Sequence, residues 1–274
     1  MTVDARLTIL YNFYIYITLQ CKNQACQIVK TFLFLFLVFV LQAHLAFAGE
    51  DKKEEKTERF AVGAFFSPAY DYRYIHHPTT GTFDDQSFLN ELNEYERGKF
   101  GYTTGLTFSW LISRRFTLET GAWFSNKGYS MRFIDFVNST SEVLPYEKGN
   151  LRYIYGYIDL PLKLNVNIIT RPVKVFVSAG MTADFCIYAK YRFLLVPKGG
   201  GKENYYVNMD DKGRTFNLSA LGSAGIEYAF LKHFCFRFEP MFMMNVLPIN
   251  LYDGEFKVYL WSLGGNAGIF YLFR

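Results

Sequence analysis

The chain has 274 residues, of which 50% are hydrophobic and 19% aromatic, with a formal net charge of +4 and a mean hydropathy of +0.02. The low mean hydropathy excludes a polytopic helical membrane protein, which needs several runs of about 20 apolar residues, and the apolar content excludes a disordered chain. The weak net charge is not the strongly basic balance of a nucleic-acid-binding domain, so no nucleic-acid partner is expected.

The first predicted element is an export signal. An apolar run over residues 31–48 follows Lys30 and ends in Ala46-Phe47-Ala48, which is typical of a cleavable signal peptide. We interpret residues 1–48 as an extended N-terminus followed by this signal peptide, and residues 49–59 as a charged leader. If translation begins at Val29, the extension is not made. A single transmembrane anchor is the alternative, since the run has the minimum length for a span. Removal of residues 1–48 leaves Cys186 and Cys235, between which no disulfide is expected.

From Phe60 onward, apolar and polar residues alternate repeatedly, which predicts β-strands. In the clearest segment, residues 100–110, the side chains of Phe100, Leu106 and Trp110 share one face and glycine, serine and threonine occupy the other. The segments with this pattern are 60–72, 100–110, 116–127, 154–166, 173–186, 215–230, 234–244 and 257–273.

The connections between these eight segments alternate in length. The short connections are 112–114, 168–172 and 231–233, and the long ones are 73–98, 128–152, 187–214 and 245–255. This alternation is typical of an outer-membrane barrel. We therefore predict an all-β fold over residues 60–274, an eight-stranded antiparallel up-and-down transmembrane β-barrel with short periplasmic turns and long extracellular loops. A soluble β-sandwich is the alternative.

The chemistry of the two faces favours the membrane barrel. Eight strands enclose a lumen only just wide enough for side chains, and the polar face consists largely of glycine, serine and threonine with a few charges. The opposite face carries phenylalanine, tyrosine and tryptophan, which suit contact with outer-membrane lipid and with the membrane interface.

Three short motifs carry a resemblance to a known family. They are the strand Tyr157-Ile158-Asp159-Leu160-Pro161-Leu162-Lys163, the preceding hairpin from Gly105 through Phe116-Thr117-Leu118-Glu119 to Gly128, and the C-terminal strand Asn266–Phe273. Together they resemble the PorT-like, "porin family" outer-membrane β-barrel proteins of Gram-negative bacteria. The resemblance implies an outer-membrane location and, through Gly268, Tyr271 and Phe273, a signal for the barrel-assembly machinery. Arg274 departs from this signal, since many such barrels end on the aromatic residue.

Charged residues on the polar face predict a cluster inside the barrel. Glu119, Lys163, Glu227 and Arg237 each lie a few residues from a short turn, and Lys174 and Glu239 flank them. Buried charges must be paired, so we interpret these six residues as a structural layer of salt bridges that closes the lumen. A conduction filter is the alternative.

No catalytic, cofactor-binding or metal-binding site is expected. Of the histidines after residue 48, His233 falls in a short turn, and His76 and His77 fall in the first long loop near Asp84 and Asp85. A metal or acid–base role for this pair is the alternative to a solvated loop. The run Gly199–Gly201 is not followed by the Lys-Ser/Thr pair or by the helix of a phosphate-binding loop.

The long loops are therefore the expected functional part. Loops 73–98, 128–152 and 187–214 are rich in aromatic and charged residues, and such loops on a rigid scaffold commonly bind partners. We expect a non-enzymatic integral outer-membrane protein that acts through these loops in partner contact or envelope organisation. The alternatives are a component of a type nine-like secretion or envelope-assembly machine, and a lipid-modifying enzyme.

Overall fold

The computed structural model describes residues 60–76, 90, 92–135, 146–170, 173–209, 214–250 and 256–273. The predicted N-terminal extension and signal peptide (1–48) and the charged leader (49–59) lie outside these residues. Within the described residues, no helix combines the length and the apolar character needed to cross a bilayer.

Ten strands account for most of the described chain. They are β1 (Phe60–His76), β2 (Glu96–Leu111), β3 (Phe116–Met131), β4 (Ile134–Asp135), β5 (Tyr146–Ile169), β6 (Lys174–Pro197), β7 (Glu203–Asn208), β8 (Phe216–Ala229), β9 (Phe234–Asn245) and β10 (Lys257–Phe273). Each of the eight predicted segments corresponds to one long strand, and β4 and β7 are two short additions.

The eight long strands form a closed antiparallel ring. Its order is β1–β2–β3–β5–β6–β8–β9–β10, and β10 returns to pair with β1 along nearly its full length, from Phe60 opposite Phe273 to His76 opposite Lys257. Only four residues connect β2 to β3, β5 to β6, and β8 to β9, so the ring has a short-turn end and a long-loop end. The predicted eight-stranded antiparallel fold is confirmed.

Alternate residues of each strand face outward and into the lumen. In β1, Phe60, Phe66 and Tyr70 are exposed, whereas Ala61 and Ser67 are buried. The outward placement of most aromatic residues agrees with the sequence analysis. The lumen is less uniformly polar than expected, because seven aromatic side chains also point inward and are buried: Phe65, Trp123, Tyr129, Tyr155, Tyr157, Phe176 and Phe270.

The predicted loop boundaries 73–98, 128–152 and 187–214 are wrong. Strand residues occupy both flanks of 73–98 and 128–152, and β6 extends to Pro197 within 187–214, which also contains β7. β5 and β6 have 24 residues each, compared with 13 and 14 in the predicted segments. The alternating pattern identifies only the part of a strand that has an apolar outer face. In the remaining parts, such as 146–153, polar residues occupy both faces, so the sequence pattern there is that of a loop.

The tight inter-strand packing explains one of the lumen glycines. A Cβ atom on Gly121 would overlap the backbone carbonyl oxygen of Leu106 on β2, whereas the neighbouring Ala122 points outward and is exposed.

We therefore expect Gly121→Val to destabilise the folded barrel by about 1–3 kcal/mol through overpacking. The outward-facing Ala122→Val is the matched control and should have little effect. Urea unfolding of both variants measures the difference, and equal midpoints would contradict the assigned inward orientation of residue 121.

Candidate functional site

The candidate site is the group of charged side chains inside the barrel near its short-turn end. The register places Glu119 on β3 directly opposite Lys163 on β5, and Glu227 on β8 opposite both Lys174 on β6 and Arg237 on β9. Residues directly opposite each other in an antiparallel sheet point to the same face. Strand register therefore brings residues that are distant in sequence into one layer of the lumen.

All six predicted charged residues meet in this layer, which we call the lumen charge cluster. Lys163 Nζ lies 2.8 Å from Glu119 Oε2 and 2.6 Å from Glu239 Oε1. Arg237 Nη2 lies 2.7 Å from Glu227 Oε2, and Arg237 Nη1 also donates to Glu119. Lys174 Nζ is 3.8 Å from Glu227 Oε2, at the margin of the cluster. Three carboxylates thus face three cations.

The cluster is almost completely removed from solvent. The side chains of Glu119 and Lys163 are 1% and 2% exposed, and hydroxyl groups supply further hydrogen bonds, with Ser109 Oγ donating to Glu119 at 2.8 Å and Ser223 Oγ to Glu239 at 2.5 Å. Breaking a buried ion pair from one side leaves an uncompensated charge, which costs several kcal/mol. These contacts fix the side chains in place and leave little room for a mobile ion.

Aromatic rings enclose the Arg237 guanidinium. Its central carbon lies 4.0 Å from the ring centroid of Phe270 and 5.1 Å from that of Phe176, within the range of a cation–π interaction. The cavity next to the cluster has a volume of about 10 Å³, which is about the space of one water molecule. At this level the lumen is filled by protein atoms.

A second group of charges lies further toward the long-loop end, and the sequence analysis did not single it out. Lys127 Nζ is 3.3 Å from Asp159 Oδ2 and 4.0 Å from Asp184 Oδ2, and Lys99 Nζ is 3.8 Å from Asp71 Oδ2. The sequence pattern could have identified these residues as facing the lumen, since each lies on the polar face of its strand. Distance from the short turns concealed the grouping, because the stagger of the strands determines which residues share a level.

Tyrosine rings fill the lumen beyond these charges. Tyr129 and Tyr153 stack with their centroids 4.3 Å apart, and Tyr155 and Tyr157 are 7% and 2% exposed. They belong to one packed group with Ile249, Met209 and Leu260. Together with the two charge groups, this tyrosine layer occupies the lumen along most of its length.

The other residues considered in the sequence analysis are dispersed. His76 ends β1, His233 lies in a short turn and contacts the Leu272 carbonyl oxygen through Nδ1 at 3.3 Å, and His77 is outside the described residues. Cys235 is buried near the short-turn end, and Cys186 lies toward the other end of the barrel. In the described part of the chain, no three His, Cys, Asp or Glu side chains are grouped so that they could hold a metal ion.

The C-terminal strand closes the ring. Gly268 faces the lumen beside Phe65, whereas Tyr271 and Phe273 face outward with their ring centroids 5.0 Å apart. Arg274 is outside the described residues. The expected role of Gly268, Tyr271 and Phe273 in assembly remains a prediction.

Solved outer-membrane proteins resemble this chain in structure. Neisserial surface protein A is 14% identical, with 78% of this chain and 97% of that chain covered and a TM-score of 0.36. OprG from Pseudomonas aeruginosa is 12% identical, with coverage of 82% and 100% and a TM-score of 0.38. The outer membrane protease OmpT from Escherichia coli is 7% identical, with coverage of 81% and 99% and a TM-score of 0.31. No curated protein shows significant sequence similarity to the chain.

A family model supplies the assignment. The model described as "Outer membrane protein beta-barrel domain" matches residues 47–245, well over half of the chain and seven of the eight strands of the ring. With the closed antiparallel ring and its apolar outer surface, this match places the protein in the outer membrane. The chain belongs to the outer membrane protein beta-barrel domain family.

Proposed function

We propose that this protein is a non-enzymatic outer-membrane barrel with a plugged lumen, which acts through its long-loop end in partner contact or envelope organisation. The observation that carries the proposal is the contrast between a lumen filled by paired charges and tyrosines and a sheet that continues far beyond the apolar band. In this orientation the short turns face the periplasm and the long loops face the cell exterior, as is usual for such barrels.

The first support comes from the lumen. An eight-stranded barrel has just enough interior for its own side chains, and here ion pairs, hydroxyl groups and aromatic rings occupy it. The charged side chains of the lumen charge cluster pair with one another, as Lys163 does with Glu119 and Glu239. They are therefore not free to conduct an ion or to take part in a reaction. The cluster therefore serves as a structural plug.

The second support comes from the long-loop end. On the outer face of β5, Ile158 lies in the last row with apolar residues on both adjacent strands, opposite Phe124 on β3 and Phe185 on β6. The strand continues for twelve residues beyond Ile158 to Tyr146, which is about 40 Å along its own direction. There it pairs with β6 and β4, and β6 pairs with β7. We call this four-stranded part, residues 134–135, 146–157, 186–197 and 203–208, the projecting sheet.

The outer edge of the projecting sheet presents side chains to solvent. All six residues of β7 are exposed, including Tyr205 and Tyr206. Tyr205 Oη donates to Glu203 Oε2 at 2.8 Å, and this hydrogen bond to a carboxylate raises the pKa of Tyr205. Tyrosines on an ordered strand offer large contact area at a low entropic cost, so β7 is the part of the described chain best suited to contact a partner.

The plug can be tested by electrical recording. We expect the purified protein in a planar bilayer to show no stable large openings, because the charge clusters and the tyrosine layer block the lumen. A conducting barrel reconstituted in the same way provides the positive control. Stable large openings of this protein would overturn the plug.

The structural role of the lumen charge cluster predicts a large effect of Arg237→Met. The substitution leaves Glu227 and Glu119 with fewer cationic partners, and we expect a loss of about 3–5 kcal/mol in the free energy of unfolding. Arg114→Met, in an exposed short turn, is the matched control and should change stability by less than about 0.5 kcal/mol. Urea titration of the folded protein in vesicles measures both, and similar losses would contradict a structural cluster.

Contact through β7 can be tested in cells. A photocrosslinking amino acid at Tyr205 should give a discrete cross-linked product with an envelope component, because this side chain is exposed. The same photocrosslinking amino acid in place of Lys232, which is exposed in a short turn, is the control and should not give that product. The same cross-linked products from β7 and from position 232, or no product from β7, would contradict a contact through β7.

A further inference from the structure

Four cationic side chains lie together on the outer face of the long-loop end, three on the projecting sheet and one on β2. Arg97 on β2 is opposite Ser130 on β3, Ser130 is opposite Arg152 on β5, Arg152 is opposite Arg192 on β6, and Arg192 is opposite Tyr206 on β7. These five residues form one continuous row across five strands. Because directly opposed residues share a face, the three arginines point to the same side, and Lys190 lies one row below them.

This row faces outward and not into the lumen. The adjacent row, formed by Tyr129, Tyr153 and Tyr191, belongs to the packed tyrosine layer of the lumen. Since side chains alternate along each strand, Arg152 and Arg192 point away from the lumen. Arg97 is exposed, and the other two are half-buried.

Two of the three arginines are oriented by neutral groups. Arg152 Nε donates to Asn150 Oδ1 at 3.3 Å, and Arg192 donates to Asn204 Oδ1 from Nε at 3.0 Å and from Nη2 at 2.8 Å. Arg192 also lies over the ring of Tyr206, 5.7 Å from its centroid. These contacts hold the guanidinium groups of Arg152 and Arg192 in place through neutral partners.

Like charges directly opposite each other destabilise a sheet. Among the described residues, none of the three arginines nor Lys190 forms an ion pair with a carboxylate. The opposed pair Arg152 and Arg192 therefore costs stability unless an anion lies between the two groups. The planar guanidinium matches a phosphate group through paired hydrogen bonds, so a phosphate is the anion that this arrangement fits best.

The position of these residues along the membrane normal identifies the source of the phosphate. Tyr188, on the outer face of β6, lies two residues from Lys190 and four from Arg192, and below it follow the exposed apolar residues Ile187 and Phe185. Four residues correspond to about 13 Å along a strand, or about 10 Å along the membrane normal at the usual strand tilt. On β6, Lys190 is thus level with the polar headgroups that begin at Tyr188, and Arg192 is at their outer limit.

We infer that Arg97, Arg152 and Arg192, with Lys190 below them, bind the phosphate groups of a phosphorylated glycolipid in the leaflet at the long-loop end. This inference goes beyond the proposed partner contact, since it concerns the lipid-adjacent flank of the projecting sheet and not its exposed edge strand. It uses the outer-membrane location of the barrel and does not depend on whether the lumen is plugged.

Lipid retention by the purified, folded protein tests the inference. Native mass spectrometry with bisphosphorylated lipid A in detergent gives the affinity of the wild type and of the double variant Arg152→Gln/Arg192→Gln. A cationic residue near a membrane surface contributes about a fivefold gain in lipid affinity, so we expect about a 25-fold loss in the double variant. Lys257→Gln is the matched control, because Lys257 is exposed at the same end of the barrel on the opposite side of the ring, and it should bind like the wild type.

Three further arms distinguish the source of the anion. The wild type should bind dephosphorylated lipid A much more weakly, and inorganic phosphate and a sulfated polysaccharide should show no binding that depends on the arginines. Three outcomes would overturn the inference. The first is equal affinity for the two lipid forms, and the second is equal lipid affinity of the double variant and the wild type. The third is binding of either soluble anion that depends on the arginines while binding of the lipid does not.

Heat-dependent gel migration verifies that each variant is folded. If the double variant does not fold, Arg97→Gln replaces it, since Arg97 is exposed and makes no ion pair in the described chain. About a fivefold loss of lipid affinity is then expected, and an unchanged affinity would overturn the inference. A failure of the β7 cross-linking or of the bilayer recording would leave this result unaffected.

Discussion

The hydrogen bonds between the first and the last strand are the constraint on which the rest of the structure depends. In a bilayer no water satisfies the edge of a sheet, so a spanning sheet must close on itself. Here β1 and β10 pair from Phe60 opposite Phe273 to His76 opposite Lys257. Closure at eight strands fixes a narrow lumen, and this width decides what every inward-facing side chain can do. Glycines such as Gly121, which lies against the backbone of the neighbouring strand, are a direct consequence.

The narrow lumen also explains why its charges occur in groups. A lone carboxylate in such a space would be costly to desolvate, and the register of the strands places partners within reach, as with Glu119 opposite Lys163. Aromatic rings supply the remaining volume, with Phe176 and Phe270 on Arg237 and stacked tyrosines further along the axis. Charge pairing and aromatic packing are thus two responses to one geometric limit, and both favour a barrel without an open path.

A different physical regime begins where the apolar outer band ends. Beyond Ile158 the strands no longer need a lipid face, so polar and aromatic residues occupy both sides of the projecting sheet. Water can satisfy its free edges, which is why β7 can remain exposed in all six residues. The flank nearest the membrane carries arginines held by amide oxygens, and the far edge carries tyrosines. The two surfaces are built from the same hydrogen-bonded sheet and face different surroundings, one the lipid headgroups and the other the solution.

The sequence by itself determined the number of ring strands, their alternation and the class of fold, because the period of two and the alternating loop lengths are local signals. It also identified all six members of the lumen charge cluster, since each lies near a short turn and the turns define a common level. Only the tertiary structure decided how far the strands extend, as in β5 from Tyr146, because polar residues on both faces leave no periodic signal. It alone grouped Lys127 with Asp159 and Asp184, and Arg97 with Arg152 and Arg192. Those groupings depend on the stagger between strands, a property of ring closure that no single segment of the sequence contains.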